Sequence, residues 1–162
     1  MTMAPLAATI RALDTGLRIC AALCMAIMFA LMVAQVVLRY TATSVPVFTE
    51  ELARYAMVWM ALFSTAVAVR DGNHIRLDFA PDLLARAAPQ AGRALAFILD
   101  LITLTICLTI FWQGLDIVAF AAAQRSDGLR IPMSWPYAAM PLAFGVATIF
   151  ALARLAVWER RQ

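Results

Sequence analysis

The chain has 162 residues, of which 64% are hydrophobic and 14% are charged, and its mean hydropathy is +0.83. Soluble domains are about 45–50% apolar and about 25% charged, so this composition excludes a soluble enzyme domain and indicates a protein embedded in a lipid bilayer. The net charge is +3, and every basic residue apart from the single His is Arg. Because these arginines are scattered around apolar runs, we expect no nucleic-acid partner.

Four apolar runs approach or reach the length of about 20 residues that a helical membrane span needs. They cover residues 19–38, 52–69, 94–112 and 137–158. We therefore predict an all-α membrane protein with four transmembrane helices, forming a single domain over 1–162. Pro141, near the start of the fourth run, predicts a bend or a late start of that helix. The three cysteines lie inside the runs without a Cys-x-x-Cys pair, and we expect them to be small buried hydrophobic residues.

Arginine is distributed unevenly between the segments that flank the runs. With the N-terminus inside, nine arginines fall on the inner side and four, Arg39, Arg54, Arg125 and Arg130, on the outer side. The positive-inside rule then predicts that both termini lie in the cytoplasm. Residues 82–88, between two prolines of the inner loop, are predicted to form a short amphipathic helix in the headgroup layer.

Alanines recur every four residues on two of the runs. They are Ala22, Ala26, Ala30 and Ala34 on the first run, and Ala139, Ala143, Ala147 and Ala151 on the fourth. Small residues at this spacing let helix backbones approach closely. We expect both stripes to pack within this chain.

The runs lack the side chains that haem, thiol or hydrolytic chemistry would need. The only histidine, His74, lies in a loop, whereas a haem held between helices usually has axial His ligands inside the spans. Asp100 and Asp116 lie on one predicted helix about 24 Å apart by the helix rise, too far for a catalytic pair within one chain. We expect no cofactor, no metal site and no enzyme activity.

Asp100 is the one acid well inside a predicted span, about 9 Å from the inner end of the third run. An intramembrane acid is a candidate proton-coupling group, so an autonomous small exporter is an alternative function. The interpretation that we favour is a structural Asp100 that pairs with an arginine such as Arg154, at the inner end of the fourth run. Companion acids or aromatic residues for a cationic substrate are missing around it.

Charged residues surround the start of the second run. Glu50 and Glu51 precede Arg54 by four and three residues, so either can pair with it on a helix surface, and Arg39 ends the first run on the same side. We predict that these four residues form one mixed-charge network at the outer boundary, where charges are screened less than in water. The alternative is that these charged residues form no network and only anchor the start of the second helix in the lipid headgroup layer.

Three groups of residues carry a resemblance to a known family. They are residues 48–55 (FTEELARY) with Val58 and Trp59, residues 68–70 (AVR) with 72–78 (GNHIRLD), and residues 129–137 (LRIPMSWPY) with Pro141. Their positions over nearly the whole chain resemble the small membrane subunit, DctQ type, of tripartite ATP-independent periplasmic (TRAP) transporters. We expect subunit-interface or structural roles for the charged residues in and near these segments, which are Arg39, Glu50, Glu51, Arg54, Arg70, His74, Arg76 and Asp78.

The resemblance implies a small permease subunit of the bacterial inner membrane that associates with a large multi-span TRAP subunit. In that family the large subunit carries substrate and sodium, and a soluble periplasmic substrate-binding protein delivers the substrate, usually an organic acid. The small subunit is not expected to hold the transport site. We also expect a separate subunit rather than a fused one, because no linker follows residue 162.

Overall fold

The computed structural model describes residues 3–41, 47–71 and 88–158, most of which are helical. The helices are α1 (Met3–Thr41), α2 (Val47–Asp71), α3 (Pro89–Ala121), the short α4 (Ser134–Tyr137) and α5 (Ala139–Trp158). Four segments are long and apolar enough to cross a membrane, namely Ala8–Thr41, Phe48–Asp71, Gln90–Ala121 and Ser134–Ala156. The prediction of an all-α protein with four transmembrane helices is confirmed.

Helices α1, α2 and α3 extend beyond the apolar runs that predicted them. α1 has 39 residues, which is about 58 Å at 1.5 Å per residue, against a hydrocarbon layer about 30 Å thick. Hydropathy locates only the apolar part of a helix. Helices α1 and α3 continue past this part through polar turns, because proline, which would break them, occurs only in the first turn of each helix. The amphipathic segment predicted over 82–88 lies, apart from Ala88, outside the described residues.

The fourth apolar run is divided between two helices. α4 ends at Tyr137, and α5 begins at Ala139, two residues before Pro141. Proline has no backbone N–H and is tolerated in the first turn of a helix, where that donor would be unpaired, so the break falls just before it. Pro141 predicted a bend or a late start, and the structure shows a one-residue interruption at Ala138, after a short helix that begins before the run. Helix α3 approaches closely here, since a Cβ added at Gly114 would lie 3.2 Å from Pro141 Cδ.

α1 packs mainly on α2 and lies at the edge of the bundle. Its less exposed side chains recur at alternating intervals of four and three residues, the heptad spacing of coiled coils. They are Leu17, Ala21, Cys24, Met28, Leu31, Gln35 and Leu38. The other side chains of α1 from residue 18 onward are exposed.

The core is built mainly by α2, α3 and α5, with Leu17 of α1 at its edge. Val69 of α2, Cys107 of α3 and Phe150 of α5 are all buried in it. The alanine stripe of α5, Ala139, Ala143, Ala147 and Ala151, is at most 4% exposed. The prediction that this stripe packs within the chain is therefore confirmed.

The alanine stripe of α1 does not pack in the same way. Its members Ala22, Ala26, Ala30 and Ala34 are all exposed. The expectation that this stripe packs within the chain is wrong, because α1 contacts α2 through its heptad-spaced face and has little contact with the other helices. Cys20 is likewise exposed, contrary to expectation, whereas Cys107 is buried.

Candidate functional site

The start of α2 and the loop between α3 and α4 meet at one end of the bundle, which we call the loop end. The loop, residues 122–133, folds back on itself. The N–H of Ser126 donates to the carbonyl of Ile131 at 2.9 Å, and the N–H of Met133 donates to the carbonyl of Gln124 at 2.9 Å. These bonds give the loop a tight tip that projects toward α2.

Glu51 holds the tip of this loop against α2. Its Oε2 accepts the backbone N–H groups of Gly128 and Leu129 at 3.0 Å and 2.9 Å, and its Oε1 accepts the hydroxyl of Tyr55, one helical turn along α2. An ionised carboxylate only accepts hydrogen bonds and has room for several, so three donors can converge on it. We call these four residues the clasp, and it joins parts of the chain that are 77 and 78 residues apart.

Gly128 fits the clasp because it has no side chain. A Cβ added there would lie 2.5 Å from Glu51 Oε2 and 3.5 Å from the Cα of Phe48. The Glu51 carboxylate would have to move away, because the α2 backbone on the other side of the added Cβ cannot move. Arg130, near the tip, adopts a left-handed conformation with φ of 56°, and the guanidinium of Arg125 donates to its carbonyl at 3.2 Å.

The structure corrects the prediction of one four-residue network at the loop end. Glu50 pairs with Arg54 at 3.1 Å as the spacing allowed, but the two side chains are 72% and 66% exposed, and such a pair contributes little to stability. Glu51 binds the loop tip instead, because that tip supplies backbone donors that residue spacing does not reveal. Arg39 is exposed and makes no ion pair within the described ranges. The loop end therefore holds an exposed pair and a clasp.

A cleft of about 520 Å³ opens beside the clasp. Its charged lining comes from Glu50, Glu51, Arg54, Arg125 and Asp127, and its apolar lining includes Val58, Met133 and Pro136. The cleft therefore runs from charged groups at the end of the bundle to apolar groups further along α2.

At the opposite end of the bundle, four charged residues join α1 to α2. Asp14 is 7% exposed, accepts a bond from Arg18 at 3.1 Å and pairs with Arg70. Arg18 also lies 2.7 Å from Asp71. Of these four residues only Arg70 was predicted from the sequence as a site residue, although the four-residue spacing of Asp14 and Arg18 was an available signal. The remaining site residues predicted for this segment, His74, Arg76 and Asp78, lie outside the described residues.

Asp100 of α3 forms an ion pair with Arg154 of α5. Asp100 Oδ1 lies 3.1 Å from Arg154 Nη2, and the side chains are 13% and 26% exposed. Arg154 also donates from Nη1 to the carbonyl of Val69 in α2 at 3.1 Å. The pairing favoured from the sequence is thus present in the structure, and it ties three helices together.

These polar groups connect helices and loops to one another. Within the described ranges, no group of three His, Cys, Asp or Glu side chains is placed to hold a metal ion. The architecture defines a class, that of multi-pass helical membrane proteins whose charged residues stabilise the bundle and shape its polar ends.

Comparison with known proteins identifies the family. Residues 28–161 match the family described as tripartite ATP-independent periplasmic transporters, DctQ component. The match covers well over half of the chain, so the chain belongs to this family of transporter components, as the sequence motifs indicate. It is a multi-pass protein of the bacterial inner membrane.

Two relatives show how the family sequence occurs in larger contexts. The chain is 32% identical over 113 residues to the isethionate TRAP transporter permease protein DctMQ of Oleidesulfovibrio alaskensis, an alignment that covers 68% of this chain and 17% of that protein. It is 34% identical over 76 residues to a protein of Haemophilus influenzae whose name describes a TRAP transporter small permease, covering 46% of this chain and 45% of that protein. The chain spans less than half the length of either relative in these alignments.

Proposed function

We propose that this chain is the small permease subunit of a secondary TRAP transporter, and that it associates with and supports a large multi-span transport subunit. The observation that carries the proposal is the similarity to the Oleidesulfovibrio alaskensis protein, of which the aligned region is 17%. In that relative, named as a DctMQ permease, a segment similar to this chain is part of a much longer polypeptide. A region that is covalently joined to a permease in one organism is a good candidate for a separate subunit of such a permease in another.

The ion pair inside the bundle supports a structural role for the one intramembrane acid. If Asp100 exchanged protons or bound a cation, Arg154 would lose its carboxylate partner during each cycle. An unpaired charge within a membrane-spanning bundle is costly. The alternative of an autonomous exporter that uses Asp100 as its coupling acid is therefore not favoured.

The substrate class and the coupling ion follow from the family resemblance. We propose that the transporter takes up organic acids by sodium-driven symport and receives them from a periplasmic substrate-binding protein. The name of one relative gives isethionate, an organic sulfonate, as the substrate of that protein, which fits this class.

The orientation follows from the arginine distribution. We propose that both termini lie in the cytoplasm, since nine arginines then fall on the inner side and four on the outer side. The clasp, the cleft and the exposed pair of Glu50 and Arg54 would then face the periplasm, on the side where a substrate-binding protein arrives.

Reconstitution tests this function. Proteoliposomes that contain this chain and the large subunit are supplied with the binding protein, an inward sodium gradient and a panel of radiolabelled carboxylates and sulfonates. We expect uptake only when all three proteins and the gradient are present. Transport by this chain alone would overturn the proposal in favour of an autonomous carrier, and undiminished uptake without this chain would overturn its supporting role.

A further inference from the structure

The cleft at the loop end lies where the charged start of α2 meets the apolar run of that helix. Its lining on α2 runs from Glu50 to Val58, about 12 Å by the helix rise, and the apolar run of that helix starts at residue 52. The polar layer on each side of a bilayer is about 5–8 Å thick. The lining along α2 is longer than this polar layer, so it is long enough to contact the polar head and the start of the apolar tail of one amphiphile.

Two of the five charged groups that line the cleft have no ionic partner within the described ranges. Glu51 is engaged in the clasp, and Glu50 and Arg54 pair with each other. Arg125 donates to a backbone carbonyl only, and Asp127 forms no ion pair. Both side chains are exposed. The cleft thus offers one cation and one anion, next to each other along the loop, to a ligand that arrives from the membrane surface.

We propose that this cleft binds the headgroup of a zwitterionic phospholipid that carries a primary amine, an ethanolamine phospholipid. The guanidinium of Arg125 would donate to the phosphate, a geometry that arginine suits well. The primary ammonium would donate to the carboxylate of Asp127, which a quaternary choline cannot do because it has no N–H. A glycerol headgroup would leave Asp127 without a cation. The glycerol backbone and acyl chains would lie along Val58 and Met133.

Lipid retention by the purified full chain tests this site. Native mass spectrometry in mild detergent compares ethanolamine, choline and glycerol phospholipids with identical acyl chains. Three variants are compared with the wild type: Asp127→Asn, Arg125→Gln and, as a matched control on the same loop outside the cleft, Arg130→Gln. Because Arg125 and Asp127 are exposed, we expect these variants to fold, and gel filtration checks that they do.

We expect the wild type to retain the ethanolamine lipid up to about fivefold better than the other two, which corresponds to one partly exposed ion pair. Asp127→Asn should lose this preference, Arg125→Gln should retain less of every lipid, and Arg130→Gln should match the wild type. Equal retention of the three lipids by the wild type, or an unchanged preference in Asp127→Asn, would overturn the proposal.

Two further experiments distinguish a membrane lipid from a soluble phosphate ester and from a protein partner. Water-soluble phosphorylethanolamine should compete only weakly, because it lacks the apolar part that contacts Val58 and Met133. Competition as strong as that of the intact lipid would assign the cleft to a soluble phosphate ester and reject the lipid. A photo-crosslinker placed in cells at position 137, which lines the cleft without contributing a charge to it, should label lipid. Labelling of a polypeptide instead would assign the cleft to a protein partner and overturn the proposal.

Discussion

Replacement of Asp100 and Arg154, singly and together, tests the structural role of the intramembrane ion pair. Asp100→Ala leaves Arg154 without its carboxylate, and Arg154→Leu leaves Asp100 without its cation. The double variant removes both charges. A comparison of the three variants separates the cost of a stranded charge from the net value of the pair.

The magnitudes follow from the burial of the pair. The charged atoms of Asp100 and Arg154 lie 3.1 Å apart. The two side chains are 13% and 26% exposed, so the protein shields most of each side chain from its surroundings. Removal of one partner from a buried pair costs about 3–5 kcal/mol. Because Arg154 keeps its bond to the carbonyl of Val69 and has a long flexible stem, we expect a loss at the low end, about 3 kcal/mol, for Asp100→Ala. The double variant should lie within about 1 kcal/mol of the wild type.

The free energy of unfolding can be measured by denaturant titration in detergent micelles, with tryptophan fluorescence as the signal. A separate variant, Asp100→Asn, tests transport, because it keeps the side-chain size and an acceptor for Arg154 but removes the titratable proton. We expect uptake per assembled transporter close to that of the wild type.

Two results would overturn the structural role of this ion pair. Losses for the single variants that simply add in the double variant would show that Asp100 and Arg154 are not coupled. An Asp100→Asn transporter that assembles normally but does not take up substrate would give Asp100 a direct role in transport.

Three more predictions concern orientation and the loop end. A reporter enzyme that is active only in the periplasm, fused after Gln162, should be inactive, and strong activity would contradict cytoplasmic termini. Glu51→Ala should reduce the amount of large subunit recovered in detergent pull-downs, whereas Glu50→Ala should not, because only Glu51 binds the loop tip. The amount of small subunit in the membrane is measured in parallel. Equal recovery of the large subunit with both variants would show that the clasp does not support its binding. Gly128→Ala should behave like Glu51→Ala because its Cβ displaces the carboxylate, and unchanged recovery together with unchanged thermal stability would show that the clasp tolerates a side chain there.

The four spans could be predicted because burial of apolar residues in lipid imposes a minimum length on each run. Helix ends could not, because hydropathy does not detect polar turns that continue a helix past the membrane boundary. Pro141 was an exception, since its missing N–H is a local property that fixes the start of α5. The two alanine stripes show that residue spacing alone does not predict burial, because alanines with identical spacing are buried on α5 and exposed on α1.

The polar contacts likewise differ in whether the sequence could predict them. The pairing of Asp100 with Arg154 could be predicted because opposite charges within apolar segments have few other partners. The contact of Glu51 could not, because its donors are backbone N–H groups of a distant loop, which any residue except proline supplies. The ion pair between Asp14 and Arg70 likewise depends on how α1 lies along α2, which neither helix reveals alone.

The composition of the complex that contains this chain is the most direct test of its role as a small permease subunit. The tagged protein, expressed at its natural level and extracted from the membrane in mild detergent, is purified by affinity and size exclusion and identified by quantitative mass spectrometry. We expect a large multi-span TRAP membrane subunit to co-elute with it in a constant ratio across the peak. Elution of this chain without that subunit, together with unchanged organic-acid uptake in cells that lack this chain, would show that it is not a TRAP permease subunit.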